Sequence, residues 1–190
     1  MNWLQKISMP LQPGYEEYDL SEMDEDYSKN IVPDLLKNKE VRSLDGNPFT
    51  GYTDGYWGGK IYIMDIAKEI FLHFTTKQHA PNILRDGTLR MIKTERPGIL
   101  ATCCVSTTYG EFIPSVQLNA QNPEDLVAII FQTDTLPGGS NHADEVTWHG
   151  PIDMKNPRVV SFQEGVSLLK NSPVKLEDDD YVAYISGEMM

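Results

Sequence analysis

From residue 60 onward, the apolar residues fall into short runs that turn residues separate. Runs of roughly four to eight apolar, β-branched or aromatic residues between turns are typical of β-strands. The pattern predicts strands over Ile61–Met64, Ile70–Thr75, Leu89–Lys93, Ile99–Thr108, Leu126–Thr133, Glu145–Trp148 and Val159–Phe162, with a last apolar piece at Tyr181–Ile185. The run Leu126–Thr133 is apolar almost throughout, which indicates a strand that is buried on both faces.

Two segments have the spacing of a helix instead. In Gln78–Arg85 the apolar residues recur at helical intervals, Pro81 suits a first turn and Gly87 suits a helix end. A second, short helix is predicted over Gln163–Lys170. So few helices among so many short strands predict an α+β domain whose sheet is split and mostly antiparallel. The glycine-rich fingerprint of a doubly wound dinucleotide-binding fold is absent from the sequence.

Both ends of the chain are acidic. Residues 1–40 hold nine acidic residues against four lysines, and prolines at 10, 13 and 33 interrupt them. Residues 177–180 form an unbroken acidic run. Such segments bury little apolar surface. We therefore predict an acidic arm over residues 1–50 that is partly ordered or wraps the body, a folded domain over residues 51–175, and an acidic C-terminal segment over residues 176–190.

The 28 acidic and 16 basic residues give a formal net charge of −12. A surface of this sign repels nucleic-acid backbones and anionic membranes, so a protein partner is favoured over nucleic acid. No apolar run approaches the roughly 20 residues that span a bilayer, and the N-terminus lacks the apolar core of a signal peptide. We expect a soluble, cytoplasmic protein without a membrane partner.

Cys103 and Cys104 are the only cysteines and are neighbours, so a disulfide framework is not expected. The pair is interpreted as reduced and buried within a strand. A redox or metal role is the alternative, and no motif supports it. None of the four histidines shows the spacing of metal ligands on a helix, so no metal is expected.

Strand alternation assigns the polar side chains to faces. On one strand Phe71, His73 and Thr75 share a face, while Leu72 and Phe74 take the other. The same alternation on two later strands groups Cys104, Ser106 and Thr108, and then Glu145, Thr147 and His149. If the three strands adjoin, His73, Ser106 and Glu145 converge on one concave site.

Each of these residues also has a purely structural interpretation. His73 is then a core histidine bonded to a backbone carbonyl, and Ser106 and its neighbours cap a turn. Glu145 then simply faces solvent on an edge strand. The residues by themselves leave both interpretations open.

Three motifs occur in a definite order along the chain. His73-Phe74-Thr75 precedes a helix that runs into Ile83-Leu84-Arg85-Asp86-Gly87-Thr88-Leu89, a strand then ends in Ser106-Thr107-Thr108, and a late strand carries Glu145. This arrangement, over roughly residues 60–165, resembles ADP-ribosyltransferase domains. The resemblance implies a split, mostly antiparallel sheet of ADP-ribosyltransferase type that binds NAD as a co-substrate. It also implies transfer of ADP-ribose to a macromolecule or to water, with release of nicotinamide.

The resemblance also implies a role for each motif. Glu145 would hold the 2′-hydroxyl of the nicotinamide ribose and stabilise positive charge as nicotinamide departs. His73 would bond a ribose hydroxyl of NAD, while Thr75 and the neighbouring backbone, that of Phe74 included, shape the pocket. Ser106 and Thr107 would brace the nicotinamide half and the glutamate.

An aromatic ring is expected to clamp the nicotinamide. Tyr109 is one candidate and would serve as the tyrosine of the family's His-Tyr-Glu branch, with Phe112 and the Tyr56-Trp57 loop as the others. The chain departs from the family's pattern in joining the histidine of one branch to the Ser-Thr-Thr of another. It also has Ala143 where arginine-modifying members carry an acidic or amide residue. A second hypothesis, from a different class, is a non-catalytic interaction module of the same fold that acts through its acidic surface.

Overall fold

The computed structural model describes residues 15–19, 41–43, 60–90, 100–109, 122–137, 146–148, 150–177 and 180–186. In chain order its elements are β1 (Tyr15–Asp19), β2 (Val41–Ser43), β3 (Lys60–Asp65), β4 (Phe71–Thr76), α1 (Ala80–Asp86), β5 (Thr88–Leu89), β6 (Leu100–Cys104), β7 (Thr107–Tyr109), a 3-10 turn (Pro123–Asp125), β8 (Leu126–Gln132), β9 (Val146–Trp148), β10 (Ile152–Asp153), β11 (Lys155–Ser161), α2 (Phe162–Lys170), β12 (Val174–Leu176) and β13 (Tyr181–Ile185). The described part of the chain is therefore an α+β fold rich in strand.

Five strands form an antiparallel sheet in the order β11-β8-β4-β6-β9. Its central strand, β4, pairs with β8 from Phe71↔Phe131 to Thr76↔Leu126. β8 is buried from its first residue, Leu126, to Phe131. The prediction of a strand buried on both faces is confirmed for β8.

A second sheet has the order β1-β3-β13-β2. β3 and β13 lie at its centre and run parallel to each other, whereas β1 and β2 pair antiparallel at its edges. β1 and β2 belong to the segment predicted as an acidic arm, and β13 belongs to the predicted C-terminal segment. This sheet therefore contains residues from all three predicted segments.

The larger core cluster joins side chains of the two sheets. Phe71 and Phe131 come from the five-stranded sheet, and Met64 and Tyr184 come from the four-stranded one. Phe71 also packs edge-on against Trp148 of β9, with ring centroids 5.4 Å apart. Burial of a large apolar side chain contributes roughly 1.5–3 kcal/mol, so this cluster is a main source of the stability of the fold.

The opposite face of the five-stranded sheet is covered by α2. Leu72 and Phe74 of β4 pack in one cluster with Phe162 of the helix. Gly165 faces the sheet so closely that an added Cβ would lie 2.8 Å from the Cβ of Ala128. The helix thus approaches β8 at a distance that only glycine permits.

Both helices were predicted from the sequence. The structure confirms the helix predicted over Gln78–Arg85 as α1 and the one predicted over Gln163–Lys170 as α2. The predicted strand Val159–Phe162 ends one residue early, because the Ser161 hydroxyl accepts the backbone N–H of Glu164 at 3.1 Å and caps α2.

Other predicted elements differ from the observed ones. The strand predicted over Ile99–Thr108 is divided into β6 and β7, because the chain bends at Val105 and Ser106. The strand predicted over Leu89–Lys93 is described only to residue 90, where β5 covers Thr88–Leu89. β10 and β12 were not predicted, since strands of two or three residues carry almost no periodic signal. Within the described residues, neither helix has the length and apolar character to cross a membrane.

Candidate functional site

The strands that carry the three motifs are neighbours in the five-stranded sheet. β4 carries His73, β6 leads into Ser106-Thr107-Thr108, and β9 begins at the residue after Glu145. β6 lies between the other two and is antiparallel to both. Glu145 and His149 lie outside the described residues. The motif strands therefore adjoin, and the place of the predicted catalytic residue stays a prediction.

His73 is the most accessible side chain in the interior of β4. Its neighbours Leu72 and Phe74 are buried, as are Phe71 and Thr75, whereas His73 is only half-buried. Strand alternation places it on the same face as Phe71, which is the face toward the four-stranded sheet. A partly exposed histidine on a central strand can contact a ligand while it keeps contacts within the protein.

Phe74 points away from His73. Its ring packs against Phe162 of α2 with centroids 5.4 Å apart, on the opposite face of the sheet. Any contact between Phe74 and a ligand on the His73 face has to come from the backbone. Thr75 shares the His73 face and is buried, so it can support the wall of a site there.

The helix that follows the His73 strand ends as its sequence predicts. Gly87 adopts a left-handed conformation, with φ of 66°, and donates its N–H to the carbonyls of Ile83 and Leu84. A positive φ strongly favours glycine, which has no Cβ. The Ile-Leu-x-x-Gly part of the motif is thus a helix-ending structure, in which the glycine caps the carbonyls of the two apolar residues.

The Ser106-Thr107-Thr108 segment is buried, and backbone hydrogen bonds hold the chain at the bend where it begins. The N–H of Val105 donates to the carbonyl of Ile70 at 2.8 Å, and the carbonyl of Ser106 accepts from the N–H of Val174 at 3.1 Å. β7 then pairs with β12 in parallel. These bonds fix where the segment lies relative to the start of β4.

Lys175 attaches the end of this segment to α2. Its Nζ donates to the hydroxyl of Thr108 at 3.1 Å and to the carbonyls of Leu169 and Lys170 at 3.3 and 2.9 Å. Those carbonyls belong to the last turn of the helix, which a cation stabilises. One lysine therefore connects the Ser-Thr-Thr segment to a helix end.

Glu69, which sequence analysis did not select, holds Ser106 from the interior. It lies two residues before β4 and is 4% exposed. The Ser106 hydroxyl donates to Glu69 Oε2 at 2.5 Å, and the Cys104 thiol donates to the same oxygen at 3.5 Å. Because buried polar groups are costly to leave unsatisfied, these bonds fix the side chains together.

Tyr184 of β13 completes what we call the Glu69 cluster, which comprises Glu69, Cys104, Ser106, Thr107 and Tyr184. The Tyr184 side chain is wholly buried and lies against Cys104 and Thr107. Its hydroxyl makes no well-formed hydrogen bond within the described residues, and the Cys104 and Thr107 side chains act on it electrostatically.

The ionisable members of the Glu69 cluster all favour their neutral forms. Burial raises the pKa of the Glu69 carboxyl; the hydrogen bonds from Ser106 and Cys104 oppose this, and the charge of Asp65 adds to it. Burial raises the pKa of the Cys104 thiol, and Glu69 raises it further. Burial, with Cys104 and Glu69 nearby, also raises the pKa of Tyr184. A thiol in this state is a poor nucleophile and a poor metal ligand, which favours the interpretation of Cys104 as a reduced, buried residue.

The structure does not bring His73 and Ser106 side by side. Phe71 pairs with Cys104, and the next residue in the chain after β6, Val105, bonds to Ile70. If this antiparallel register is continued by one residue, Ser106 lies opposite Glu69. Glu69 is four residues before His73, which corresponds to about 13 Å along the strand. His73 and the Glu69 cluster are therefore two separate places on one sheet.

β9 does not place Thr147 on the face of the sheet that carries His73. Val146 and Trp148 belong to the same core cluster as Phe71, so alternation turns Thr147, between them, to the other face. The reason is that the apolar side chains of β9 are needed between the two sheets, where Trp148 contacts Phe71.

The candidate aromatic clamps are only partly covered by the structure. Tyr109 ends β7, where its backbone pairs with Leu176 of β12. Phe112 and the Tyr56-Trp57 loop lie outside the described residues. The clamp therefore stays a prediction.

A local signal for Glu69 is present in the sequence. Glu69 directly precedes the apolar run that starts at Ile70 and forms β4, and an acidic residue directly before a buried strand can be drawn into the interior. Tyr184 gives no such signal, because it stands in an apolar piece that could pack anywhere. Only the pairing of β13 with β3 brings it to Cys104.

Within the described residues, no group of three or more histidine, cysteine or acidic side chains is arranged to hold a metal ion. Comparison of the chain with family models, with curated proteins and with solved structures gives no match.

Proposed function

We propose that the chain is an NAD-dependent ADP-ribosyltransferase with the split sheet of that family, which breaks the bond between nicotinamide and ribose. The observation that carries the proposal is the partial exposure of His73 in an otherwise buried stretch of the central strand. A side chain that binds a ligand from a central strand requires such access. The adjacency of β4, β6 and β9 and the capping role of Gly87 also support the proposal.

His73 and the Ser-Thr-Thr segment serve different parts of NAD. His73 bonds a ribose hydroxyl, with Thr75 behind it. Ser106 and Thr107 are buried, so they support the nicotinamide half from behind instead of lying on its surface. NAD is a long ligand with a nucleoside at each end, so two places about 13 Å apart along one sheet can serve a single molecule.

The chemical step is a substitution at C1′ of the nicotinamide ribose. The bond from C1′ to the ring nitrogen breaks, and its electron pair leaves with nicotinamide, which becomes neutral because the ring is cationic in NAD. C1′ gains oxocarbenium character, which the Glu145 carboxylate stabilises. Because strand alternation along β9 alone would leave Glu145 on the face of Thr147, this role requires the chain to turn Glu145 toward the His73 face just before β9. A lone pair of the acceptor then bonds to C1′, and the acceptor loses a proton. No general acid is required, so one carboxylate suffices.

The acceptor is a protein in preference to a nucleic acid. The formal net charge of −12 repels a phosphate backbone at long range, whereas it attracts a basic protein. Water is the alternative acceptor, and the reaction is then hydrolysis of NAD.

The experiment is incubation of the protein with labelled NAD and cell lysate, with Glu145→Gln and Glu124→Gln as a matched pair. Glu124 is exposed and lies in the 3-10 turn before β8, so its variant controls for the loss of one charge. We expect Glu145→Gln to lower nicotinamide release by about 10²-fold or more, the scale of removing one preorganised electrostatic group. Glu124→Gln is expected to match the wild type.

The same experiment can refute the proposal. Wild-type turnover by Glu145→Gln would remove the catalytic role of Glu145. If the wild type releases no nicotinamide, the enzymatic function is refuted. The result would favour a non-catalytic module that binds a basic partner through its negative surface. Calorimetry with NAD distinguishes the enzyme from the non-catalytic module. The module hypothesis predicts no saturable NAD binding that depends on His73.

A further inference from the structure

Glu69 is a buried carboxyl group without a cationic partner among the described residues. Its contacts there are the Ser106 hydroxyl and the Cys104 thiol. Lys68, the adjacent cation, pairs instead with Asp65 at 3.4 Å, and Asp65 also accepts the N–H of Ala67 at 3.1 Å. The charge of Lys68 is therefore directed to Asp65 and not to Glu69.

In the described part of the chain, the other elements around Glu69 supply no compensating charge. Asp65 reaches it from the end of β3, Cys104 from β6 and Tyr184 from β13, and all three become more negative when they lose a proton. Burial of a carboxyl group costs free energy that an apolar side chain of the same size would not incur. What the carboxyl provides in return is an acceptor for the Ser106 hydroxyl.

We propose that Glu69 is the positioning residue of the Ser-Thr-Thr segment: by holding Ser106 from the interior, it fixes the bend before β7 and thereby the nicotinamide side of the proposed NAD site. The consequence for NAD rests on the function proposed above, whereas the effect on the segment does not. Glu69 itself does not contact NAD in this proposal, and it acts through Ser106.

Among the described residues, the other hydrogen bonds of the bend are made by its backbone. The backbone bonds of Val105 and Ser106 hold its outer course, but neither fixes the orientation of the Ser106 side chain. The bond to Glu69 does, and it draws Ser106 to the side where Cys104 lies. We therefore expect loss of that bond to make the Ser106 side chain more mobile and to increase solvent access to the Cys104 thiol.

Alkylation of Cys104 in the native protein measures this loosening. In a Cys103→Ala background, the label reports Cys104 alone, because the chain has two cysteines and both are buried. The variants are Glu69→Ala, Glu69→Gln and Ser106→Ala. The control is Ser161→Ala, which removes the N-terminal cap of α2, a hydrogen bond at the opposite end of the helix from the turn that Lys175 joins to the segment.

We expect Glu69→Ala and Ser106→Ala each to speed Cys104 alkylation about tenfold or more beyond Ser161→Ala, and the double variant to be no faster than either single one. Glu69→Gln keeps an oxygen acceptor for Ser106 and is expected within about threefold of the wild type. If Glu69→Ala does not fold, Ser106→Ala makes the same comparison by removing only a hydroxyl. Alkylation no faster than in Ser161→Ala would overturn the positioning role.

The link to NAD is read from the kinetics of nicotinamide release by the same variants. We expect Glu69→Ala to raise the KM for NAD about tenfold with a smaller change in kcat, and Glu69→Gln to restore the wild-type KM. An unchanged KM together with faster alkylation would overturn the link to NAD. If the wild type releases no nicotinamide, the proposed enzyme fails, and alkylation alone still decides whether Glu69 positions the segment.

Discussion

Ser106 and Glu69 are 37 positions apart in the chain, yet the serine hydroxyl donates to Glu69 Oε2 at 2.5 Å inside the protein. The bond joins the end of one neighbouring strand, β6, to the start of another, β4. It places a carboxyl group of raised pKa next to a segment that the sequence motifs associate with NAD. The stability of the fold and the geometry of the proposed site therefore depend on the same side chain.

The raised pKa of Glu69 predicts a stability that falls as pH rises. The ordinary value is 4.5 and burial raises it in the folded protein, so the folded state binds the proton more tightly than the unfolded state. The stabilising contribution is complete below the unfolded pKa and is lost as pH rises through the folded pKa. Denaturant unfolding at a series of pH values should show this decline, and Glu69→Gln should flatten it.

The control for this pH series is Glu124→Gln, which removes an exposed carboxyl and should keep the wild-type slope. Cys104 and Tyr184 also have raised pKa values, from ordinary values of 9.0 and 10.0. Both groups titrate above these ordinary values, so the difference between wild type and Glu69→Gln at pH values well below 9.0 reports Glu69. If stability depends on pH with the same slope in the wild type and in Glu69→Gln, the raised pKa of Glu69 is contradicted.

Gly165→Ala is expected to destabilise the protein although alanine is the better helix former. A Cβ there would lie 2.8 Å from the Cβ of Ala128 and 3.1 Å from the Phe74 ring, and overpacking of this kind costs about 1–3 kcal/mol. The gain in helix propensity is only about 1 kcal/mol. Chemical denaturation measures the balance.

Gly150→Ala is the matched control for Gly165. An added Cβ at Gly150 meets no atom within 4 Å among the described residues, and the residue is exposed. Its free energy of unfolding should stay within about 0.5 kcal/mol of the wild type. A Gly165→Ala protein more stable than the wild type would show that α2 can move away from the sheet.

Lys175→Met tests the attachment between α2 and the Ser-Thr-Thr segment. The methionine keeps much of the apolar stem but loses the bonds to Leu169 O, Lys170 O and Thr108. We expect a loss of about 0.5–1.5 kcal/mol in the free energy of unfolding. Lys170→Met removes a cation in the last turn of α2 but leaves the three Lys175 bonds in place. It should lower the free energy of unfolding by less than Lys175→Met does.

His73→Ala distinguishes a ligand anchor from a core histidine. Loss of a hydrogen bond to a ribose hydroxyl should weaken NAD binding about tenfold in calorimetry, with a small change in melting temperature. His79→Ala is the control, because His79 is exposed and its side chain makes no cap bond to α1. A loss of stability with unchanged NAD affinity would support the core histidine instead.

The sequence by itself determined what depends on local geometry. The alternation of Phe71, Leu72 and Phe74 between two faces follows from the pleat of a strand, and the core clusters agree with it. The end of α1 follows from the freedom of Gly87 to adopt a positive φ. Both features involve residues only a few positions apart, so the local backbone geometry is enough to determine them.

Only the tertiary structure decided which strands adjoin and which buried polar groups meet. The order β11-β8-β4-β6-β9, the entry of β13 beside β3, and the bond between Glu69 and Ser106 all join distant parts of the chain. The same applies to Thr147, whose face is set by the packing of Trp148 on Phe71. These outcomes follow from the collective packing of two sheets and a helix, which the alternation along any single strand does not specify.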